Sequence, residues 1–331
     1  MKIDKIVIDW GQMEKLQLLA GRGNPLLAQK ISQNLKIPLT PITIKTFADG
    51  EIYTKILKKV RGDDVFIIQS LSEPVNENLM ELLIMIDALR RASVNKINVV
   101  CPYLCYSRQD RKVTSREPIT AKLVANLITK AGADRLLTVD LHTDAIQGFY
   151  DIPVDHLVGY PQFATYLLKK RYRQMIVVAP DIGAVKRANK LADLLQVPLV
   201  MADKRRKKHN QSEVSFIIGE VKGKTAIILD DMIDTGGTVC DVAEILKEKG
   251  ARQIIICATH ALLNGPACER LQKSPVSKIL LLDTINIGKE KKITKMEKIS
   301  LAPLLAKVIK RIHKGQSLGA LFKWEEKQMA L

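Results

Sequence analysis

The feature that most restricts the fold of this chain is that it reads against itself. Val60-Arg-Gly-Asp-Asp-Val-Phe-Ile-Ile-Gln-Ser70 parallels Val221-Lys-Gly-Lys-Thr-Ala-Ile-Ile-Leu-Asp-Asp231. Upstream, Leu18-Leu-Ala20 leads through a short loop and a helix to Ile37-Pro-Leu39, as Val177-Val-Ala179 leads to Val197-Pro-Leu199. Downstream, Ile97-Asn-Val-Val-Cys-Pro-Tyr103 echoes Ile254-Ile-Ile-Cys-Ala-Thr-His260. Each half thus repeats strand, helix, strand, helix, strand, and its strands are near-continuous apolar runs. That pattern belongs to parallel strands covered on both faces. The expectation is an α/β protein of two tandem domains of similar fold, residues 14–158 and 159–322, each a mainly parallel sheet flanked by helices. The last helix, Leu301–His313, is expected to pack back across the boundary.

A chain of 331 residues with 47% hydrophobic content suffices for one large or two ordinary domains with real cores. No apolar run reaches membrane-spanning length, and Met1–Leu19 lacks a secretory pattern, so a cytoplasmic location is expected. Cys101, Cys105, Cys240, Cys257 and Cys268 show no CxxC spacing and read as buried, reduced thiols. The net charge of +17 invites a nucleic-acid reading. Aromatic content of only 5%, and no recognisable nucleic-acid-binding motif, argue against it. Part of the excess lies in Lys204–His209, where a multiply anionic substrate would want it, and Lys289–Lys298 reads as a solvated loop or hairpin.

Chemistry concentrates in Lys224–Cys240. The apolar run Ala226–Leu229 reads as a buried strand, with Asp230 and Asp231 at its C-terminal end. Asp234-Thr-Gly-Gly-Thr238 then turns the chain into a helical run ending near Lys249-Gly250. Backbone amides of a Gly-containing loop at a helix N-terminus attract phosphate. Gly236 and Gly237 permit close approach, and Thr235 and Thr238 add hydroxyl donors. The adjacent carboxylates match vicinal sugar hydroxyls. Together with Asp234 these residues make a candidate ribose 5-phosphate cradle, the plain alternative being a strand-to-helix turn with Asp caps. The first half has Gln69-Ser70 in place of the acids and no Gly pair in Leu71–Asn78. It is therefore expected to serve nucleotide contact and subunit packing instead. Its helix Leu79–Ala92 is apolar over much of its circumference, which suits either an interface or a deep core position.

Lys204 and Arg206 follow the strand Pro198–Ala202 in a segment, 204–213, too polar to pack and expected to close over bound substrate. A compact ammonium and a planar guanidinium both suit phosphate oxygens. His142 and Asp181 each lie at a C-terminal strand end, where open α/β sheets place ligands. Arg108, Gln109 and Asp110 sit in a polar loop, Ser107–Arg116, after the strand ending near Tyr103.

Asp230-Asp-Met-Ile-Asp-Thr-Gly-Gly-Thr238 resembles the phosphoribosyl diphosphate loop shared by phosphoribosyltransferases and ribose-phosphate diphosphokinases. Four further segments resemble the second family, of class I type. They are Phe47-Ala-Asp-Gly-Glu51, Tyr106-Ser-Arg-Gln-Asp-Arg-Lys112, Val139-Asp-Leu-His142 continuing to Gln147–His156, and Asp203-Lys-Arg-Arg206. The likeness extends through Pro74–Asp87 and reaches Leu318–Phe322, covering nearly the whole chain. It implies two phosphoribosyltransferase-like domains and Mg²⁺-dependent transfer of the diphosphoryl group of ATP to ribose 5-phosphate, giving 5-phosphoribosyl 1-diphosphate and AMP. It implies catalytic roles for Lys204 and Arg206, the latter also touching ribose 5-phosphate. ATP contacts would come from Phe47, Asp49, Gly50, Glu51, Arg108, Gln109, Asp110 and His142, and Mg²⁺ contacts from His142 and Asp181. It further implies a homohexamer in which the Phe47–Glu51 loop serves a neighbour's nucleotide site.

Several positions depart from the family pattern. Ala184 stands where a second Gly is usual, and Thr143-Asp144-Ala145 replaces small neutral residues. Lys59, Gly319 and Ala320 differ near the implied phosphate and ADP effector site, where Arg61 and Ser317 remain. Weak ADP regulation is the expectation. A non-catalytic regulatory homologue would be expected to lose Lys204, Arg206, His142 or Arg108, yet all are present. A plain phosphoribosyltransferase would need neither the first half nor the Arg-Gln-Asp loop. His156, His209, His260 and His313 read as structural.

Overall fold

In each sequence repeat, consecutive apolar residues become a strand whose alternate side chains enter different layers of core. The computed structural model describes residues 15–205, 214–291 and 293–319. The first half contributes β1 (Leu16–Ala20), α1 (Pro25–Leu35), β2 (Ile42–Thr46), β3 (Ile52–Ile56), β4 (Asp64–Ile68), α2 (Val75–Arg91), β5 (Lys96–Cys101), α3 (Thr120–Ala131), β6 (Arg135–Val139) and β7 (Val154–Leu157). The second half contributes α4 (Tyr160–Lys170), β8 (Met175–Ala179), α5 (Val185–Leu195), β9 (Leu199–Arg205), β10 (Val214–Ile218), β11 (Thr225–Ile233), α6 (Gly237–Glu248), β12 (Gln253–Ala261), α7 (Ala267–Lys273), β13 (Lys278–Leu282), β14 (Met296–Ile299) and α8 (Ala302–His313).

The first sheet has the order β1-β4-β5-β6-β7. The second repeats it as β8-β11-β12-β13-β14 and adds β9 and β10 beyond β8. All neighbours pair in parallel except β9 with β10. Period-two alternation distributes the strand residues. In β4, Phe66 and Ile68 face a central core, and Val65 and Ile67 face an outer one with α2 and α3. In β11, Ile227 and Leu229 enter the same central core, while Ala226 and Ile228 pack toward α6 and α7. Residues of α1, α4, α5 and α8 fill the central layer, so the two sheets share one core. The expected return of the last helix is seen in that layer, where α8 packs on α1 and His313 Nδ1 lies 2.9 Å from Asp64 Oδ2.

Buried polar contacts add to this joint. Ser70 Oγ donates to the Thr284 carbonyl at 2.6 Å, and Asn24 Nδ2 to the Asp283 carbonyl at 2.9 Å. His260 Nε2 lies 3.1 and 3.0 Å from the carbonyls of Val139 and Asp140, which makes His260 the buried structural histidine expected of it. The five cysteines are free, and Cys101, Cys105, Cys240 and Cys257 are buried. One face of α2 buries Leu82, Met85, Ile86 and Leu89, whereas Met80 is exposed. Among the described residues no helix is long and apolar enough to cross a membrane.

Two strand boundaries differ from the sequence reading. The strand expected to end at Ala202 runs on to Arg205, because antiparallel pairing with β10 sets Lys204 against Ser215 and satisfies its backbone. The strand expected over Ala226–Leu229 extends to Ile233, because β12 continues beside it with Asp230 opposite Ala258 and Ile233 opposite Ala261. The acidic pair is therefore part of a strand. The repeat also extends further than the sequence disclosed. β2 and β3 form a hairpin with Phe47–Glu51 at its tip, as β9 and β10 flank the basic segment, although β2 and β3 stand as a separate two-stranded sheet.

Candidate active site

The turn from β11 into α6 places the cradle. Gly236 precedes the first helical residue with φ 73° and ψ 0°, a left-handed conformation that favours glycine. A Cβ there would meet only ordinary contacts, the nearest being Ala267 at 3.6 Å, so conformation and not space sets the requirement. Among the described residues no side chain caps α6, and its first amides remain available to an anion. Arg270 stands beside the turn, with Nη1 donating to the Thr235 carbonyl at 3.3 Å. Asp234 is held from two sides, by Arg108 Nη1 at 2.6 Å and Asn264 Nδ2 at 2.9 Å.

Below the cradle the carboxylates divide. Asp231 Oδ2 lies 2.8 Å from His142 Nδ1, and its Oδ1 lies 2.9 Å from Arg187 Nη1. Asp230 Oδ1 accepts from the Asp231 amide at 2.9 Å, with Arg187 at 3.9 Å. Burial, and then the charge of Asp231, push the Asp230 carboxyl well above the ordinary carboxylate range. Burial also acts upward on Asp231, but the His142 hydrogen bond and the Arg187 charge outweigh it and hold that carboxyl low. Burial opposes the charge on Arg187, which Asp231 and Asp140 restore. Asp140 itself has a left-handed backbone, φ 40°, and its carboxylate accepts from the Gly159 amide at 3.1 Å and from the Thr259 hydroxyl.

The first half brings Arg108, Gln109 and His142 to this place, with Asp110 close behind. Gln109 Oε1 accepts from the Thr120 hydroxyl, and Asp110 Oδ2 accepts from Thr143 Oγ1 at 2.7 Å. A crevice of about 260 Å³ is lined by Tyr103, Tyr106, Arg108, Gln109 and Met232, so both halves form its walls. Burial pushes the Tyr103 phenol up to about 12. Asp181 begins the turn before α5, and its Oδ1 accepts from the Ala184 amide at 3.0 Å. Two departures from the family pattern thus have partners here, Thr143 on Asp110 and Asp144 on Lys186 at 2.7 Å.

The structure does not bring the Phe47–Glu51 tip to these groups. Phe47 is 52% exposed, its ring lies 6.0 Å from that of Tyr53, and the tip closes on itself with Gly50 at φ 93°. Asp49 Oδ1 accepts from the Glu51 amide at 3.1 Å. Lys204 is placed as a backbone position on β9, and Arg206 lies outside the described residues. The matching place in the first half is filled. Gln69 is fully buried, its Oε1 accepts from the Gly23 amide at 2.8 Å, and its Nε2 donates to the Asn78 carbonyl at 3.1 Å.

Sequence reasoning missed Arg187, Asn264 and Arg270. For Arg187 a signal existed. It lies in the first turn of α5, where a cation opposes the helix dipole and needs a carboxylate partner to stay. Asn264 and Arg270 come from the loop after β12 and from α7, and only the tertiary fold sets them against the cradle.

Comparison with known proteins gives the family of the chain. Residues 16–132 match the N-terminal domain of ribose phosphate pyrophosphokinase, and residues 214–323 match the phosphoribosyl synthetase-associated domain. The chain is 51% identical over 308 residues to a ribose-phosphate pyrophosphokinase of Bacillus caldolyticus, spanning 93% of this chain and 98% of that one. A namesake from Caldanaerobacter subterraneus is 53% identical over the same shares. The crystal structure of phosphoribosylpyrophosphate synthetase from Mycobacterium smegmatis superposes with a TM-score of 0.86 at 43% identity, covering 91% of this chain and 100% of that one. A repeated α/β architecture and about half of all residues shared across 93% of the chain lead to one assignment: the chain belongs to the ribose-phosphate pyrophosphokinase family of diphosphate-transferring enzymes.

Proposed function

We propose that the protein transfers the diphosphoryl group of ATP to the 1-hydroxyl of ribose 5-phosphate, with Mg²⁺, giving 5-phosphoribosyl 1-diphosphate and AMP for nucleotide biosynthesis in the cytoplasm. The observation that carries this reading is the meeting of strand ends from both sheets, where His142 of the first half touches Asp231 of the second at 2.8 Å. Residues 159–322 would hold the sugar, and residues 14–158 would supply nucleotide contacts and subunit packing. The amides of Gly236 and Gly237, with the hydroxyls of Thr235 and Thr238, hold the 5-phosphate. Asp230 accepts from the ribose hydroxyls. Arg108 turns from Asp234 to the nucleotide phosphates, a move that also opens the cradle. Lys204 and Arg206 supply charge to the transferring group, where positioning and electrostatics do most of the catalysis.

The donors present fit Mg²⁺ as an ion that arrives with the nucleotide. Among the described residues no three His, Cys, Asp or Glu gather to hold a metal. His142, with Nδ1 on Asp231, leaves Nε2 as a free acceptor, and the exposed Asp181 keeps one oxygen outward. Phosphate oxygens and water complete the shell such an ion prefers. Bound there, Mg²⁺ neutralises phosphate charge during transfer. The direct test is AMP formation from ATP, which should need both ribose 5-phosphate and Mg²⁺. AMP released equally without the sugar, or none released with it, would reject the reading.

The exposed hairpin tip fits the same proposal as part of a neighbour's site in a homohexamer, with inorganic phosphate and ADP as effectors. At subsaturating substrates, Asp230→Ala and Phe47→Ala protein should each turn over poorly alone. Mixed and allowed to exchange subunits, they should regain up to about a quarter of wild-type activity, since each supplies the part the other lacks. Proven exchange without recovery would confine each nucleotide site to one chain.

A further inference from the structure

The alternation of β11 gives its two carboxylates different neighbours. Counting from Ile227 and Leu229, Asp231 continues the row that faces the central layer, where α5 lies. Counting from Ala226 and Ile228, Asp230 continues the row on the α6 side, where the cradle opens. Burial agrees, with side-chain exposure of 7% for Asp231 and 15% for Asp230.

Both oxygens of Asp231 are engaged, one by His142 and one by Arg187. Asp230 has one oxygen on the Asp231 amide, and its carboxyl lies within hydrogen-bonding reach of the Asp231 carboxyl but of no imidazole or near guanidinium. Adjacent acids read from sequence as equivalent sugar ligands thus have unequal freedom. A ribose hydroxyl can meet the more exposed Asp230 while the His142 and near Arg187 contacts stay in place, whereas Asp231 would first have to release an imidazole or a guanidinium.

Arg187 deepens the asymmetry. Its side chain is 23% exposed and it sits in the first turn of a helix, a poor place for a cation unless anions hold it. Asp231 at 2.9 Å is its near partner, and Asp230 at 3.9 Å the far one. The resulting row, Arg187 to Asp231 to His142, runs from a helix of the second half to the strand-end loop of the first. A carboxylate that accepts from Nδ1–H fixes the ring orientation and the tautomer, leaving the Nε2 lone pair outward for a ligand.

We infer that Asp231 and Arg187 are positioning residues for His142, not sugar ligands, and that Asp230 alone of the acid pair reads the ribose hydroxyls. The second clause rests on the function proposed above, while the first stands apart from it. The measurement for the first clause uses metal-free protein labelled with ¹⁵N-histidine, whose long-range ¹H–¹⁵N correlations at alkaline pH report which ring nitrogen carries hydrogen. The His142 signal is identified by its loss in His142→Gln. Wild type should show the Nδ1–H form, and Asp231→Ala should shift the ring toward Nε2–H. A wild-type ring already in the Nε2–H form would overturn the inference without need of any variant. So would a tautomer unchanged by Asp231→Ala. Because that variant strands Arg187, Asp231→Ala/Arg187→Met serves as its charge-balanced partner and should give the same shift.

For the second clause, calorimetric titration with ribose 5-phosphate should show affinity within about threefold of wild type for the double variant, against a loss of at least about tenfold for Asp230→Ala. Equal losses would return Asp231 to the sugar. If wild type itself fails to bind ribose 5-phosphate, the proposed function falls, while the tautomer result still decides the role of Asp231.

Discussion

Lys204→Ala should lower turnover about a thousandfold while ribose 5-phosphate binding stays within about threefold. The charge is wanted where negative charge develops on the transferring diphosphoryl group, not where the sugar rests. β9 supports this reading, since Lys204 pairs through its backbone with Ser215 on a strand that continues to Arg205. Replacing a side chain leaves the backbone ladder of a paired strand intact. The measurement is single-turnover AMP formation at saturating substrates. Turnover within about threefold of wild type would remove Lys204 from the chemistry.

Asp230→Asn should weaken ribose 5-phosphate binding by about ten- to a hundredfold, because the amide fixes an NH₂ where the carboxyl can turn an oxygen to either sugar hydroxyl. The control is the same position of the other repeat. Gln69→Glu, in protein shown to be folded, should leave sugar affinity unchanged, since Gln69 is spent on the Gly23 amide and the Asn78 carbonyl. The first half has closed its corresponding site with its own side chains. Equal sensitivity of sugar affinity to both changes would show that both copies still bind sugar.

Much of the fold was legible because the apolar runs are long and repeat in order. Phe66 with Ile68, and Ile227 with Leu229, are core whichever way their sheets are packed. The strand ends were less legible, since pairing set them. Nothing in Asp203-Lys-Arg205 announces a strand until β10 supplies a partner, and Asp230 and Asp231 look like loop residues until β12 runs beside them. In the site, the turn into α6 was legible because Gly236-Gly237 marks the point where an apolar strand gives way to a helical run. Its split acids were not, because adjacent carboxylates look alike in one dimension. What separates Asp230 from Asp231 is the face of a sheet and an arginine from another helix.

The central layer bears on how such a repeat can evolve. A duplicated unit normally keeps its own interior, so either copy can later be lost, moved or exchanged. Here Leu27 and Ile31 of α1 share an interior with Leu305 and Ile309 of α8, and Phe66 shares it with Leu229. Cutting the chain between Leu157 and Tyr160 would leave each piece with a bare apolar wall where its twin had been. The two copies have become obligate company. Neither copy can now be dispensed with, whatever its strand ends come to hold, because each is a wall of the other's interior.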